Sequence, residues 1–145
     1  MKNKKGFTLI ELLAVIAILS ILLIIAIPGV LEMFNKAKKN TFVDQAESIY
    51  NTATKQFMSD QLEADKIGSD GITYCWDGED DSMALELSGN KKTLYYVHFT
   101  AAGVVDTFKV ADDDFGITGS TDVDVNDVKD ATVLTDSSIP SISCN

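Results

Sequence analysis

The feature that most constrains this chain is an apolar run close to its N-terminus. Between residues 12 and 27 the only polar side chain is that of Ser20. The wider segment 7–30, FTLIELLAVIAILSILLIIAIPGV, is long enough as a helix to cross a bilayer, which takes about 20 residues. Lys2, Lys4 and Lys5 precede it, and positive charge before a span predicts that the tip stays cytoplasmic while the rest crosses.

An ordinary secretory signal peptide has the same order of basic and then apolar residues, but it is cut after the apolar region. Here Gly6 comes before the run, Glu11 interrupts it, and the chain continues past Pro28 into an amphipathic pattern. These features favour an anchor that remains in the mature protein. A soluble domain released after Pro28 by a conventional signal peptidase is the alternative.

The sequence KKGFTLIELL, at residues 4–13, resembles the leader and cleavage motif of type IV pilins and their relatives. This resemblance implies that residues 1–6 are a leader that a prepilin peptidase cuts off between Gly6 and Phe7. It also implies that the new amino group of Phe7 is methylated. Residues 7–30 would then form the transmembrane helix of the precursor and the core helix of a filament.

Glu11 lies within the apolar run, where a carboxylate costs a few kcal/mol near the bilayer centre and tends to be paired. The resemblance implies an assembly role, in which Glu11 pairs with the Phe7 ammonium of a neighbouring subunit. A mismatched register would leave both charges unpaired in an apolar environment. The alternative is that Glu11 only satisfies the N-terminus of its own helix.

The helix is expected to change character at Pro28 and Gly29, because proline lacks an amide donor and glycine is a poor helix former. We predict a kink there, and an amphipathic helix of the head domain over residues 31–64. Its apolar stripe comprises Phe42, Ala46, Ile49, Tyr50, Ala53 and Phe57. A basic cluster, Lys36, Lys38 and Lys39, follows the apolar run and could meet lipid headgroups or acidic neighbours.

Residues 65–145 are predicted to form a loop, an antiparallel sheet and a C-terminal region. Tyr74, Cys75 and Trp76 fall in the predicted loop, and strands are predicted over 83–87, 93–100 and 104–110. The intervening turns are Ser88-Gly89-Asn90 and Ala101-Ala102-Gly103. The predicted fold class is therefore α+β, with a long N-terminal helix packed on a small antiparallel sheet, as in type IV pilins.

The chain has two cysteines, Cys75 and Cys144, which fit one disulfide if the domain is outside the cytoplasm. Such a bridge would pin the C-terminus to the loop before the sheet and contribute about 4 kcal/mol in the chain-entropy model. Two unpaired buried thiols are the alternative.

Composition and motifs argue against several functions. The net charge of −10, from 12 lysines and 22 acidic residues, disfavours nucleic acid as a partner of the domain. Asp122, Asp124 and Asn126 resemble the start of a calcium loop, but Asp127 and Val133 stand where that loop has glycine and glutamate. Alternation of Val123 and Val125 with acidic residues favours a strand instead.

No catalytic set is recognisable. His98 is the only histidine and lies in a predicted strand, and the sequence has no phosphate-binding glycine loop and no nucleophile elbow. We therefore expect no enzymatic activity, no cofactor and no established metal site.

The resemblance implies a structural subunit of a type IV pilus that serves adhesion, twitching motility or a related surface function. The expected partners are further copies of the chain, other pilins, the prepilin peptidase, an inner-membrane platform protein and an assembly ATPase. The precursor would be a single-pass membrane protein and the product an extracellular fimbrium. A secretion pseudopilin, a competence pilin and, in a different class, a membrane-anchored binding module that never polymerises are the alternatives.

Overall fold

The structure, a computed structural model, describes residues 6–63, 65–79, 81–87 and 92–144. Its elements are α1 (Leu9–Asp60), β1 (Ile72–Trp76), β2 (Leu94–Phe99), β3 (Val105–Ala111), β4 (Gly116–Ser120), α2 (Val125–Asp130) and a 3-10 turn, Asp136–Ser138. The four strands form one antiparallel sheet in the order β1-β2-β3-β4. The predicted α+β, pilin-like architecture is thus confirmed. Most of the predicted leader and the predicted turn at residues 88–90 lie outside the described residues.

The chain divides into two compact units, Met1–Lys38 and Lys39–Asn145. The hydrophobic core belongs to the second unit, where one face of α1 packs on the sheet. The ring of Phe57 stacks on that of Phe99 with centroids 4.6 Å apart, and Tyr50 meets Phe108 edge to face at 5.9 Å. The buried positions of α1 are Phe42, Ala46, Ile49, Ala53, Phe57 and Asp60. All but Asp60 belong to the predicted stripe, and Tyr50 packs on the core half-buried.

The sheet is a meander in which alternate residues face α1. In β2, Tyr95, Val97 and Phe99 are buried while the residues between them are half-buried. The β2–β3 turn is closed by a hydrogen bond from Gly103 N to Thr100 O of 2.9 Å. Gly103 has a φ of 84°, a conformation that glycine adopts without strain. The turn predicted at residues 101–103 is therefore present.

The first strand of the sheet differs from the prediction. Residues 72–76 form β1 and not a loop, whereas the described residues 83–87 form no strand. Backbone groups of residues 83–87 form individual hydrogen bonds with other parts of the chain. Met83 O accepts from Cys75 N at 2.8 Å, and Leu85 N donates to the Tyr95 hydroxyl at 2.6 Å. Those bonds replace a strand ladder, so the prediction for 83–87 was wrong.

The region after β3 also differs. Residues 116–120 form β4, which was not predicted, and the expected strand around Val123 and Val125 is replaced by α2. Asp124 starts α2, because its Oδ1 accepts from the backbone N of Asn126 at 2.6 Å and of Asp127 at 3.0 Å. Asp127 Oδ2 accepts from Asp124 N in return, at 2.8 Å, which completes a capping box.

The C-terminal segment ties the two edge strands of the sheet together. Cys75 in β1 is bonded to Cys144, with an S–S distance of 2.07 Å and a Cα–Cα distance of 5.7 Å. At β4, a Cβ added to Gly116 would lie 2.3 Å from Pro140 Cδ, so only glycine allows the tail this close approach. Cys75 alternates with Tyr74, which faces the core, so the tail crosses the sheet on the side opposite α1.

Candidate functional site

The helix α1 begins with a capping box built by Thr8 and Glu11. Thr8 N and Thr8 Oγ1 donate to Glu11 Oε2 at 2.9 and 2.7 Å, and Glu11 N approaches Thr8 Oγ1 at 3.4 Å. This reciprocal bonding satisfies amide groups that a helix N-terminus otherwise leaves without partners. Sequence reasoning singled out Glu11 but missed Thr8, although the spacing T-L-I-E is the signature of such a box.

The geometry leaves one oxygen of Glu11 outside the capping box. Both Thr8 donors reach Oε2, whereas Oε1 takes neither of these bonds. A carboxylate oxygen has room for further donors even when its partner oxygen is occupied. Glu11 can therefore cap its own helix and accept a bond from another molecule at the same time.

From Leu9 to Leu31, apart from Glu11, α1 presents an apolar surface on every side. Residues 6–41 are all exposed in the single chain. The helix is long and apolar enough to cross a membrane. The large apolar residues exposed here are Phe7, Leu9, Ile10, Leu12, Leu13, Val15, Ile16, Ile18, Leu19, Ile21, Leu22, Leu23, Ile24, Ile25, Ile27, Val30, Leu31, Met33 and Phe34. A helix that is apolar all round is stable when lipid or other protein covers it.

The few polar features of this surface are compatible with burial. The hydroxyl of Ser20 donates to Ile16 O at 2.7 Å, so it adds no unsatisfied group. Pro28 lies inside α1, which continues from Leu9 to Asp60. Between residues 7 and 31, Glu11 is the one charged side chain in the sequence.

The bond predicted to be cut lies just ahead of α1. Gly6 and Phe7 precede the helix in an exposed segment without regular structure, and the side chain of Phe7 is 87% exposed. A protease needs an accessible and unstructured substrate backbone, so this segment has the properties that cleavage requires.

Comparison with protein families identifies this segment. Residues 1–27 match the family model of the prokaryotic N-terminal methylation motif. The chain carries a pilin-type signal sequence. That motif marks structural subunits of pilin or pseudopilin type, which are substrates of the prepilin peptidase and are not enzymes. It fits a membrane-anchored precursor. No curated protein and no solved structure gives a significant match.

Of the residues considered as a calcium site, Asp124 and Asn126 belong to the start of α2. Asp124 is the N-cap of α2 and is bonded to two backbone amides there, and Asn126 lies in the first turn of that helix. Within the described parts of the chain, no group of three or more His, Cys, Asp or Glu side chains is arranged to hold a metal. His98 Nδ1 lies 2.6 Å from Asp106 Oδ1 on the half-exposed side of the sheet.

One buried charge in the second unit, the head domain, was not predicted from the sequence. Asp60, 1% exposed, ends α1 and accepts hydrogen bonds from the Tyr74 hydroxyl at 2.6 Å and from Gln56 Nε2 at 2.8 Å. Lys66 Nζ lies 2.9 Å from its Oδ1. Burial alone would raise the pKa of Asp60, but the bonds from Tyr74, Lys66 and Gln56 outweigh it and hold the pKa below its ordinary value. Asp60 thus links the end of α1 to β1 and to the loop between them.

Proposed function

We propose that this chain is the structural subunit of a type IV pilus, polymerising through the first half of α1 into an extracellular filament. The observation that carries the proposal is the joint presence of the methylation motif and of an apolar surface exposed from Phe7 to Phe34, most of it on α1. A single-pass anchor needs about 20 apolar residues in lipid, and a filament offers the same surface a protein environment.

In this proposal, the prepilin peptidase cuts between Gly6 and Phe7 and methylates the new amino group. The helix then leaves the bilayer with the help of a platform protein and a cytoplasmic ATPase, and packs among the helices of other copies. Each leucine or isoleucine removed from water contributes on the order of 2 kcal/mol. Because lipid is the starting environment, the net gain is much smaller and depends on packing and polar contacts.

Glu11 supplies the polar contact that selects the register. A Phe7 ammonium from a neighbouring copy can bond to Oε1 while Thr8 holds Oε2 in place. Two opposite charges taken out of water must meet closely, since each is costly to leave unpaired. We therefore assign the assembly role to Glu11 and Phe7, with Thr8 as the residue that positions the carboxylate.

The remaining segments have supporting roles in the proposal. The rest of α1, up to Asp60, belongs to the head domain, and the sheet and tail that follow would face solvent on the filament. Pro28 and Gly29 lie in a stretch of α1 where the missing amide of proline and the flexibility of glycine make local unwinding least costly. We propose that the helix kinks there during assembly.

A secretion pseudopilin or a competence pilin would use the same processing and the same helix. The intact Glu11 and the lack of a well-formed calcium loop in the sequence favour a pilus subunit over these relatives. A membrane-anchored binding module that never polymerises differs more sharply, because it would keep residues 1–6 and would tolerate loss of Glu11.

The test is peptide mass spectrometry of the N-terminus of surface material sheared from cells. The proposal predicts a chain that begins with N-methylated Phe7 and is recovered as filaments visible by electron microscopy. A chain that starts at Met1 or after Pro28 would refute prepilin processing. Correct processing without filaments outside the cell would favour the pseudopilin alternative.

A further inference from the structure

A second pair of charged residues on α1 repeats the spacing of the first. Lys36 follows Glu11 by 25 residues (36 minus 11), and Glu32 follows Phe7 by the same 25 (32 minus 7). Seven turns of α-helix take about 25 residues. In the single chain α1 is continuous through this region, so Glu11 and Lys36 lie on the same face of the helix. A kink at Pro28 that is repeated in every copy leaves the four-residue step from Glu32 to Lys36 unchanged, because both residues follow it.

The proposed contact between Glu11 and Phe7 sets the stagger of neighbouring helices. Glu11 of one copy lies level with Phe7 of the next if the two parallel helices are shifted by four residues (11 minus 7), which is about 6 Å. The same shift brings Lys36 of the first copy level with Glu32 of the second. Both side chains are exposed in the single chain, at the end of the apolar surface.

We propose that Lys36 of one copy forms an ion pair with Glu32 of the neighbouring copy. The inference rests on the proposed function, because it takes its register from the Glu11–Phe7 contact. The charges are reversed in the second pair. The copy that contributes the Glu11 carboxylate to the first pair contributes the Lys36 ammonium to the second.

Two charge pairs fix the register of neighbouring helices, which the apolar surface alone does not. A helix surface made almost wholly of leucine, isoleucine, valine and alanine packs nearly as well after a slip of one turn. A slip of about 5.4 Å breaks both ion pairs at once. Polar residues at single positions fix the register of coiled coils in the same way. The apolar segment would thus be bounded by a specific contact at each end.

Two other partners compete for Lys36. Glu32 of its own helix is four residues earlier, a spacing at which side chains of one helix can pair. Anionic lipid headgroups attract lysines near the membrane surface. Neither of these contacts depends on the charge carried by a neighbouring copy, and this difference allows a decisive test.

The experiment compares Glu32→Lys and Lys36→Glu, expressed singly and together in cells that lack the wild-type chain. Each variant alone places like charges at the contact between copies, and we expect sheared filament to fall about fivefold or more. Co-expression restores opposite charges, because the lysine introduced by Glu32→Lys in one copy meets the glutamate introduced by Lys36→Glu in its neighbour. We expect recovery to within about twofold of wild type, in filaments that contain both chains.

Controls separate this contact from net charge and from failure of the proposed function. Lys55→Glu makes the same charge change on an exposed lysine of α1 outside the proposed contact, and it should leave the yield unchanged. Absence of wild-type filaments refutes the pilus proposal and not this contact alone. If wild type assembles but the single variants also assemble normally, or co-expression fails to rescue them, the ion pair is refuted.

A milder pair of variants covers the case in which charge reversal prevents membrane insertion. Lys36→Gln and Glu32→Gln remove one charge each without creating repulsion. Wild-type filaments should fragment more as salt rises, because salt screens the pair, whereas filaments of either glutamine variant should lose this salt dependence. Equal salt dependence in all three refutes the pair.

Discussion

Glu11 is held in place by Thr8 before any neighbour reaches it. The two Thr8 bonds of 2.9 and 2.7 Å fix Oε2 and turn the carboxylate back along the helix start. The sequence motif identifies Glu11 by family resemblance, and the T-x-x-E spacing identifies its cap by chemistry. The sequence does not show that Thr8 bonds to Oε2 and leaves Oε1 for another donor, because that depends on side-chain geometry.

We expect Glu11→Ala to leave cleavage before Phe7 intact and to abolish filaments, because removing one partner of a desolvated pair costs about 3–5 kcal/mol. Thr8→Ala keeps the charge and removes only the cap, worth about 1 kcal/mol, so filament yield should fall less. Mass spectrometry of the N-terminus and the yield of sheared filament measure the two effects separately. Normal filaments from Glu11→Ala would contradict the assigned role.

Asp60 shows a second way in which a charge is stabilised, by local bonds within the head. Its pKa is held low against the effect of burial, so the native state favours the ionised form. The same contacts raise the pKa of Tyr74, through burial of its hydroxyl and the neighbouring carboxylate. No sequence pattern points to this cluster, because Gln56, Asp60, Lys66 and Tyr74 come from three different segments.

The pH dependence of stability follows from the direction of the Asp60 shift. The ordinary pKa is 3.8 and the folded pKa is lower, so the stabilisation is complete above about pH 4 and is lost as pH falls through the folded pKa. Asp60→Asn should lower the free energy of unfolding by about 1–3 kcal/mol at pH 7 and shrink the loss on acidification.

Chemical unfolding in detergent, followed by the fluorescence of the single tryptophan, Trp76, measures both quantities for Asp60→Asn. Asp70→Asn, at an exposed acid in the same loop, is the matched control and should behave as wild type. If Asp60→Asn and wild type lose the same stability between about pH 6 and pH 3, Asp60 does not contribute as described.

At the scale of elements, those with a clear period were predictable and the others were not. The α1 stripe repeats every three or four residues and β2 alternates in burial, so these two patterns predicted the correct elements. β1 is flanked by glycines and acidic residues that favour a loop, yet it pairs with β2 along its length. α2 depends on one capping box, which outweighs the two-residue alternation of Val123 and Val125.

The tail is the element that depends most on a single covalent bond. Cys75 and Cys144 are separated by 69 residues, and the chain-entropy model gives such a bridge about 4 kcal/mol. We expect the double variant Cys75→Ser/Cys144→Ser to lose roughly this amount in chemical unfolding, and its tail to become sensitive to carboxypeptidase. Changing both residues avoids a free thiol that could cross-link copies.

Reduction of the wild-type protein provides an independent comparison for the tail. Reduced wild type and the double serine variant should share the same midpoint of unfolding, below that of the oxidised protein. If the oxidised protein and the serine variant unfold at the same denaturant concentration, the disulfide adds no stability to the head.

For the whole molecule, the division between Lys38 and Lys39 separates a unit without a buried core from a unit that has one. Every residue of the buried core lies at Phe42 or beyond, while residues 6–41 are exposed throughout. The second unit buries its own apolar residues, whereas the apolar helix of the first unit is stable only when lipid or other copies of the chain cover it. This division follows from composition, since the apolar run ends where the lysine cluster begins.

We therefore expect a fragment that begins at Lys39 to fold alone, as a soluble monomer with the Cys75–Cys144 bond intact. Its core, its sheet and its disulfide are complete without the first unit. Its excess of acidic side chains adds repulsion between copies, which opposes association. The full chain should instead require detergent or assemble, because its apolar helix is uncovered in water. Sedimentation and circular dichroism of both proteins measure the difference. A fragment that is unfolded, or that forms oligomers at micromolar concentration, would show that the head depends on the helix or carries an assembly surface of its own.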